Sequence, residues 1–93
     1  MSEYQFLHTK QFLKREERFL KKHPEVIPQY EKTMQLLGKD PNHPSLRLHK
    51  LKGSLQEYHS VSINMKYRIT IEFIIQDKLI IPVMIGSHDE AYR

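Results

Sequence analysis

Six side chains in the second half of the sequence are of the types needed to act on a phosphodiester. His49, Lys50 and Lys52 lie in the stretch leading to Gly53. Arg68 stands early in a segment of alternating apolar residues, and His88 and Tyr92 follow a Gly86-Ser87 bend. An RNA phosphodiester can be cut by its own 2′-OH. The reaction needs a base for the 2′-OH proton, an acid for the leaving 5′ oxygen, and cations for the charge that builds on phosphorus. Histidine, tyrosine, lysine and arginine can fill these places without a metal. A tyrosine ring or an arginine plane can also stack on an unpaired base. Each residue has a plainer role open to it: Arg68 as a partner of Glu72 on its strand face, Tyr92 as a plug that pins the chain end, His88 as a surface residue. Of the remaining histidines, His8 and His23 read as structural or solvated, His43 as part of a loop, and His59, at a strand start, as either structural or functional.

Other chemistries lack their parts. The chain has no cysteine, which removes disulfides, thiolate metal sites and cysteine nucleophiles, and fits a reducing cytoplasm. The six histidines show no i,i+4 pair and no accompanying carboxylate cluster. Glycines only at 38, 53 and 86 cannot make a phosphate-cradling loop, and no serine nucleophile elbow is present. Neither a metal nor a cofactor is expected. The first residues, Met1-Ser2-Glu3-Tyr4, do not read as a signal peptide. The longest apolar run, Leu79 to Ile85, is interrupted by Pro82 and too short for a membrane span.

At 93 residues, one domain over positions 1–93 is the expectation, with an open surface site more easily housed than a deep pocket. The net charge is +4 and the pI about 9.4. Positions 41–68 hold five Lys/Arg (Arg47, Lys50, Lys52, Lys66, Arg68) against Glu57 alone, whereas positions 1–40 hold eight against six and positions 69–93 two against four. The basic excess therefore lies in the middle of the chain, where it would attract a polyanion such as nucleic acid, or an acidic protein.

The elements that must position these groups follow from periodicity. Tyr4 to His8 reads as a short edge strand. Thr9 is a plausible N-cap for a helix whose apolar stripe is Phe12, Leu13, Phe19 and Leu20, with Glu17 and Lys21 in the favourable i,i+4 order. His23-Pro24 ends it. A second helix begins with Pro28 in its first turn, carries Val26, Ile27, Tyr30, Met34 and Leu37 inward, and takes Gly38 as its C′ residue. After the turn residues Lys39 to Pro44 the period becomes two. Leu46 and Leu48 alternate with Arg47 and His49, Val61 and Ile63 with Ser60 and Ser62, and Tyr67, Ile69, Ile71, Phe73 and Ile75 with Arg68, Thr70 and Glu72. Leu79 to Ile85 is the last strand. Its Pro82 predicts an edge or a bulge, and Gly86 ends it. The fold class is thus α+β: a strand, an antiparallel helix hairpin, then three antiparallel strands and a short C-terminal tail. The helices cover the apolar face of a twisted sheet, and Ser60, Ser62, Arg68, Thr70 and Glu72 form a polar face left open.

Three segments, read together, resemble the RelE/ParE superfamily of type II toxin–antitoxin toxins. They are Leu46-Arg47-Leu48-His49-Lys50-Leu51-Lys52-Gly53, Tyr67-Arg68-Ile69-Thr70-Ile71, and Ile85-Gly86-Ser87-His88-Asp89-Glu90-Ala91-Tyr92-Arg93. The tail and the His49–Gly53 segment resemble the YafQ-like branch in particular. The resemblance spans essentially the whole chain and implies a RelE-like fold and a ribosome-dependent mRNA endonuclease working in the cytoplasm. Its partners would be a cognate antitoxin, mRNA in the ribosomal A site and ribosomal RNA, with no membrane. It implies catalytic places for His49, Arg68, His88 and Tyr92, with Arg68 holding the scissile phosphate, His88 as acid and Tyr92 contacting substrate. His49 is the base of choice. Arg47, Lys50, Lys52, Lys66 and Arg93 would contact RNA.

The sequence departs from the pattern where YafQ-like members carry a further histidine and an aspartate; Ser62 and Lys66 stand there instead. The glutamate base of YoeB-like members has no convincing counterpart, Glu57 being the nearest. Two other functions fit the same scaffold: a ParE-like inhibitor of DNA gyrase, whose branch generally lacks the tail histidine–aromatic pair, and a degenerate toxin that only binds its antitoxin.

Overall fold

The computed structural model describes residues 3–51, 58–74 and 76–87. Strand β1 (Gln5–Phe6) leads into helix α1 (Lys10–Lys22), a 3-10 turn at Pro24–Val26 and helix α2 (Ile27–Lys39). A second 3-10 turn at Pro44–Leu46 precedes strands β2 (His49–Lys50), β3 (His59–Ser62), β4 (Tyr67–Ile74) and β5 (Leu79–Ser87). All five strands form one sheet in the order β1-β5-β4-β3-β2. The β2–β3, β3–β4 and β4–β5 pairs are antiparallel, as short connections require, whereas β1 runs parallel to β5.

Local chemistry sets the helix ends. Thr9 accepts from the Phe12 N–H at 3.1 Å and starts α1, a cap that stabilises by about 1 kcal/mol. Pro28 sits in the first turn of α2, where its missing N–H leaves no broken bond. Gly38 departs from expectation: it lies inside the last turn of α2, and Asp40 caps the helix. Its lack of a side chain serves packing, since a Cβ there would sit 3.1 Å from the Phe6 ring. The Gly38 carbonyl accepts from the Tyr4 N–H at 2.8 Å, which ties β1 to the end of α2.

The expected helix-covered face is present. Val61, Ile69, Ile71 and Ile80 on the sheet meet Phe19, Tyr30 and Leu37 of the hairpin in one buried cluster that also takes in Leu46 and Tyr67. Fully burying each of the larger apolar side chains stabilises by about 1.5–3 kcal/mol. The Tyr30 hydroxyl donates to the Glu16 carboxylate and joins the two helices. Burial raises the Tyr30 pKa well above the ordinary tyrosine range, and the bonded Glu16 charge raises it further. At the closed end of the hairpin, Phe19 meets Tyr67 edge-on at 5.0 Å, and the Tyr67 hydroxyl lies 3.2 Å from His23 Nδ1.

Three further expectations need correction. Leu46 and Leu48 do not begin a strand. Leu46 closes a 3-10 turn with its side chain in the core, and Arg47 takes a left-handed conformation at φ 50°, so the chain reaches the sheet only at His49. The last strand runs through Gly86 to Ser87, and the irregularity foreseen at Pro82 is a bulge: Thr70 pairs with Met84 and Ile71 with Pro82, which leaves Val83 as the extra residue. The polar face is not open throughout. Ser60 and Thr70 are buried, at 0% and 2% exposure. In register they lie between His49 and Met84, so two short side chains are flanked by two longer ones.

Candidate active face

Arg68 lies on the polar face of β4 and is partly buried. Its neighbours across the sheet are Ser62 on β3 and Gly86 on β5, so no side chain from β5 stands beside it in that row. Ser62 does not turn to it: the Ser62 hydroxyl donates to the Asn64 carbonyl at 2.7 Å and belongs to the β3–β4 turn. Nor does Glu72 form an ion pair with Arg68 among the described residues. One terminal guanidinium nitrogen of Arg68 is buried and lacks a hydrogen-bond acceptor among the described residues. Buried charged donors are nearly always satisfied, and an orphaned one costs a kcal/mol or more. A planar cation held with an unmet donor suits a phosphate oxygen.

His49 shares this face. It pairs with Ser60, so its row runs through Thr70 to Met84, adjacent to the row of Arg68. Two strand spacings across and two residues along put the His49 and Arg68 Cα atoms about 12 Å apart. Both side chains can therefore reach toward one group between them without touching. The His49 ring is exposed, and its Nδ1 lies 3.2 Å from the Arg47 carbonyl. With Nδ1–H donating to that oxygen, Nε2 is the basic nitrogen.

The basic residues are distributed unevenly around this pair. Arg47, at the left-handed position, is exposed next to His49. Lys50 is exposed but alternates to the other face, opposite His59. Lys66 is exposed in the β3–β4 turn, with its ammonium 5.5 Å from the centre of the Tyr67 ring. That turn is fixed by Asn64, which accepts from the Lys66 and Tyr67 N–H groups and donates to Gln29 of α2 at 2.8 Å. His88, Tyr92, Lys52 and Arg93, all expected at the site, lie outside the described residues, as does Glu57. The chain reaches Ser87, paired with Tyr67, one residue beyond the partner of Arg68.

His59 falls on the helix side of the sheet, in the row of Lys50, Ile71 and Pro82, and not with Arg68. Its ring stands edge-on to Phe73 at 5.7 Å, and its Nδ1 is buried with no acceptor or donor among the described residues. Burial lowers its pKa, and the charges of Lys50 and His49 lower it further. Both effects favour the neutral imidazole. The sequence leaves the role of His59 open at a strand start, because its surroundings depend on β2 pairing that the sequence does not announce.

Among the described residues, no three His, Asp or Glu side chains are grouped closely enough to hold a metal ion. No helix among them is long and apolar enough to cross a membrane.

The sequence matches no protein-family model and no curated protein. Its backbone, by contrast, is shared with solved structures. YafQ from E. coli strain BL21(DE3) superposes with a TM-score of 0.78 at 17% identity, over 97% of this chain and 99% of that one. The E. coli DinJ-YafQ toxin-antitoxin complex gives 0.76 at 17% identity, over 98% and 99%. The YoeB-YefM complex from Staphylococcus aureus gives 0.70 at 16% identity, over 94% and 99%. In each case the correspondence extends over nearly the full length of both chains, two helices on a five-stranded mixed sheet. The chain therefore has the RelE-like fold of the YafQ and YoeB toxins.

Proposed function

We propose that this protein is the toxin of a type II toxin–antitoxin pair and cuts mRNA on the ribosome, using the face that carries Arg68 and His49. The observation that carries this reading is the buried, unaccepted guanidinium nitrogen of Arg68 on a face shared with His49. The fold, common to toxins solved alone and with antitoxins, supports both the toxin role and a cognate antitoxin as partner.

The chemistry is a transesterification. His49 Nε2 takes the 2′-OH proton, and the 2′ oxygen attacks phosphorus. Arg68 holds the phosphate oxygens as negative charge accumulates, and the bond to the 5′ oxygen breaks. His88 returns a proton to that oxygen, which leaves a 2′,3′-cyclic phosphate and a 5′-hydroxyl. Tyr92 contacts the base or sugar of the substrate. Arg47, Lys50, Lys52, Lys66 and Arg93 are the expected contacts to the flanking backbone, Lys50 from the rim because it points to the other side of the sheet. With Ser62 committed to a turn carbonyl, the general base falls to His49 in place of a β3 residue.

The test adds purified protein to translating ribosomes and maps mRNA 5′ ends, with a parallel DNA gyrase cleavage assay. Cuts within A-site codons that His88→Ala abolishes support the proposal. Gyrase-linked DNA breaks with intact mRNA would replace it with the ParE-like activity. Antitoxin binding with neither effect would leave a degenerate toxin.

A further inference from the structure

We infer that a groove between α1 and the exposed edge of β5 is a second RNA-backbone site, although by sequence alone its α1 residues read as a solvated helix surface. Arg15, Arg18 and Lys22 fall on one side of α1 by their spacing of three and four residues. Together with His23 they rim a groove of about 290 Å³ whose floor is Phe19, Met84 and Ile85. Three observations set this groove apart from the rest of the basic surface.

First, none of its Lys or Arg side chains has a carboxylate partner among the described residues. Of the Lys and Arg residues on α1, only Lys21 has a carboxylate within ion-pair distance among the described residues, namely Glu17 at 3.0 Å. Glu25 lies 3.7 Å from His23 Nδ1 at the rim of the groove and is itself largely exposed. Second, the groove is built rather than incidental. The bulge at Val83 releases a carbonyl from the ladder, and the Arg15 guanidinium donates to it at 2.9 Å. That bond ties α1 to the β5 edge and fixes the direction of the basic row. β1 pairs with β5 only at Leu79 and Ile80, so no strand of the described residues covers the edge at Met84 to Ser87. Third, it adjoins the Arg68 face. Met84 belongs to the same row as Thr70, Ser60 and His49, and it is one strand spacing and two residues from Arg68, on the order of 8 Å between Cα atoms. A polyanion held at Arg68 and leaving across side-chain-free Gly86 meets the groove within a few nucleotides. The shared chemistry is a phosphodiester backbone, whether of the message itself or of ribosomal RNA beside it.

This inference rests on the RNA-cutting reading and is tested apart from it. Arg18 and Lys22 are exposed and make no described hydrogen bond, so the double reversal R18E/K22E should fold; matching thermal melts verify this. The control is K10E/K32E, which changes net charge equally at exposed sites off the groove. Binding of the full chain is measured against a fluorescent 2′-O-methyl oligoribonucleotide, which cannot be cut, and against small ribosomal subunits, each over a range of salt. The expected result is at least a tenfold loss for R18E/K22E beyond the control in one arm or both. On the oligonucleotide, the slope of log affinity against log salt should fall by about 1.4, for two lost phosphate contacts. Loss only in the oligonucleotide arm identifies the message, and loss only in the ribosomal arm identifies ribosomal RNA. Equal effects of the two double variants in both arms would overturn the inference. So would unchanged RNA binding with antitoxin binding lost, which would assign the groove to an acidic protein segment. If wild-type protein cuts no mRNA yet R18E/K22E lowers binding, the groove stands and the proposed activity fails.

Discussion

Replacing Arg68 with methionine should make the protein more stable and less active at once. Methionine keeps an unbranched apolar stem of similar reach and removes the guanidinium, one nitrogen of which is buried without an acceptor among the described residues. Leaving a buried donor unmet costs about 1–3 kcal/mol, and the lower end applies because the rest of Arg68 is partly exposed. No described ion pair or hydrogen bond of Arg68 is lost to offset the gain. R68M is therefore expected to gain about 1 kcal/mol, a rise in Tm of roughly 4–8 °C for a domain of this size. Loss of the phosphate-holding cation should lower the cleavage rate by about a hundredfold or more. Thermal melts and urea titrations read the first effect, and single-turnover cleavage on ribosomes reads the second. A variant that melts lower than wild type would show that Arg68 is held for folding, and would remove the argument that its unmet donor awaits a ligand.

Other expectations are as direct. The lowered pKa of His59 means that the unfolded chain takes up its proton first as pH falls, so stability is full above the unfolded value near 6.5 and declines below it. Melts between pH 7.5 and 5 should show a shallower loss in H59Q than in wild type; parallel curves would contradict the assignment. G38V should destabilise by about 1–3 kcal/mol in urea, because a branched side chain cannot fit where even a Cβ stands 3.1 Å from Phe6. A wild-type midpoint for G38V would mean that β1 yields freely. Y30F should cost about 1–2 kcal/mol by leaving Glu16 without its partly buried donor, and E16Q, which keeps an acceptor, should cost less.

The parts of this fold legible in the sequence are those governed by local pattern. Thr9 caps α1, Pro28 opens α2, Glu17 pairs with Lys21, and the alternation from Tyr67 onward is a strand with Arg68 turned away from the core. Pro82 pointed to an edge or a bulge because its backbone cannot donate to a ladder, and a bulge lies beside it. What escaped depends on distant partners. Leu46 and Leu48 alternate like a strand, yet one is drawn into the core from a 3-10 turn, which only the packed hydrophobic cluster determines. A glycine near a helix end suggested a C′ residue, whereas Gly38 answers to Phe6, more than thirty positions away. Alternation places Ser60 and Thr70 on one face but says nothing about what lies beside them, and they prove buried.

The candidate site divides in the same way. The residue types for phosphodiester chemistry were visible, but that His49 shares a face with Arg68 follows from the β2–β3–β4 register, which the sequence alone does not supply. Lys50 was grouped with them by charge, but one residue of pleat turns it to the other side. The α1 cations were the reverse case. In the sequence they are interleaved with Glu16 and Glu17, and only the packing of α1 against β5 shows Arg15, Arg18 and Lys22 lining one groove.

RNA cutting by the Arg68 face is best tested by mapping mRNA 5′ ends produced on translating ribosomes by wild-type protein and by R68M side by side. New ends inside A-site codons, each carrying a 5′-hydroxyl, are expected in the wild-type lane and should be nearly absent with the better-folded R68M. Undiminished cutting by R68M, or no new ends with wild type, would contradict cutting by this face.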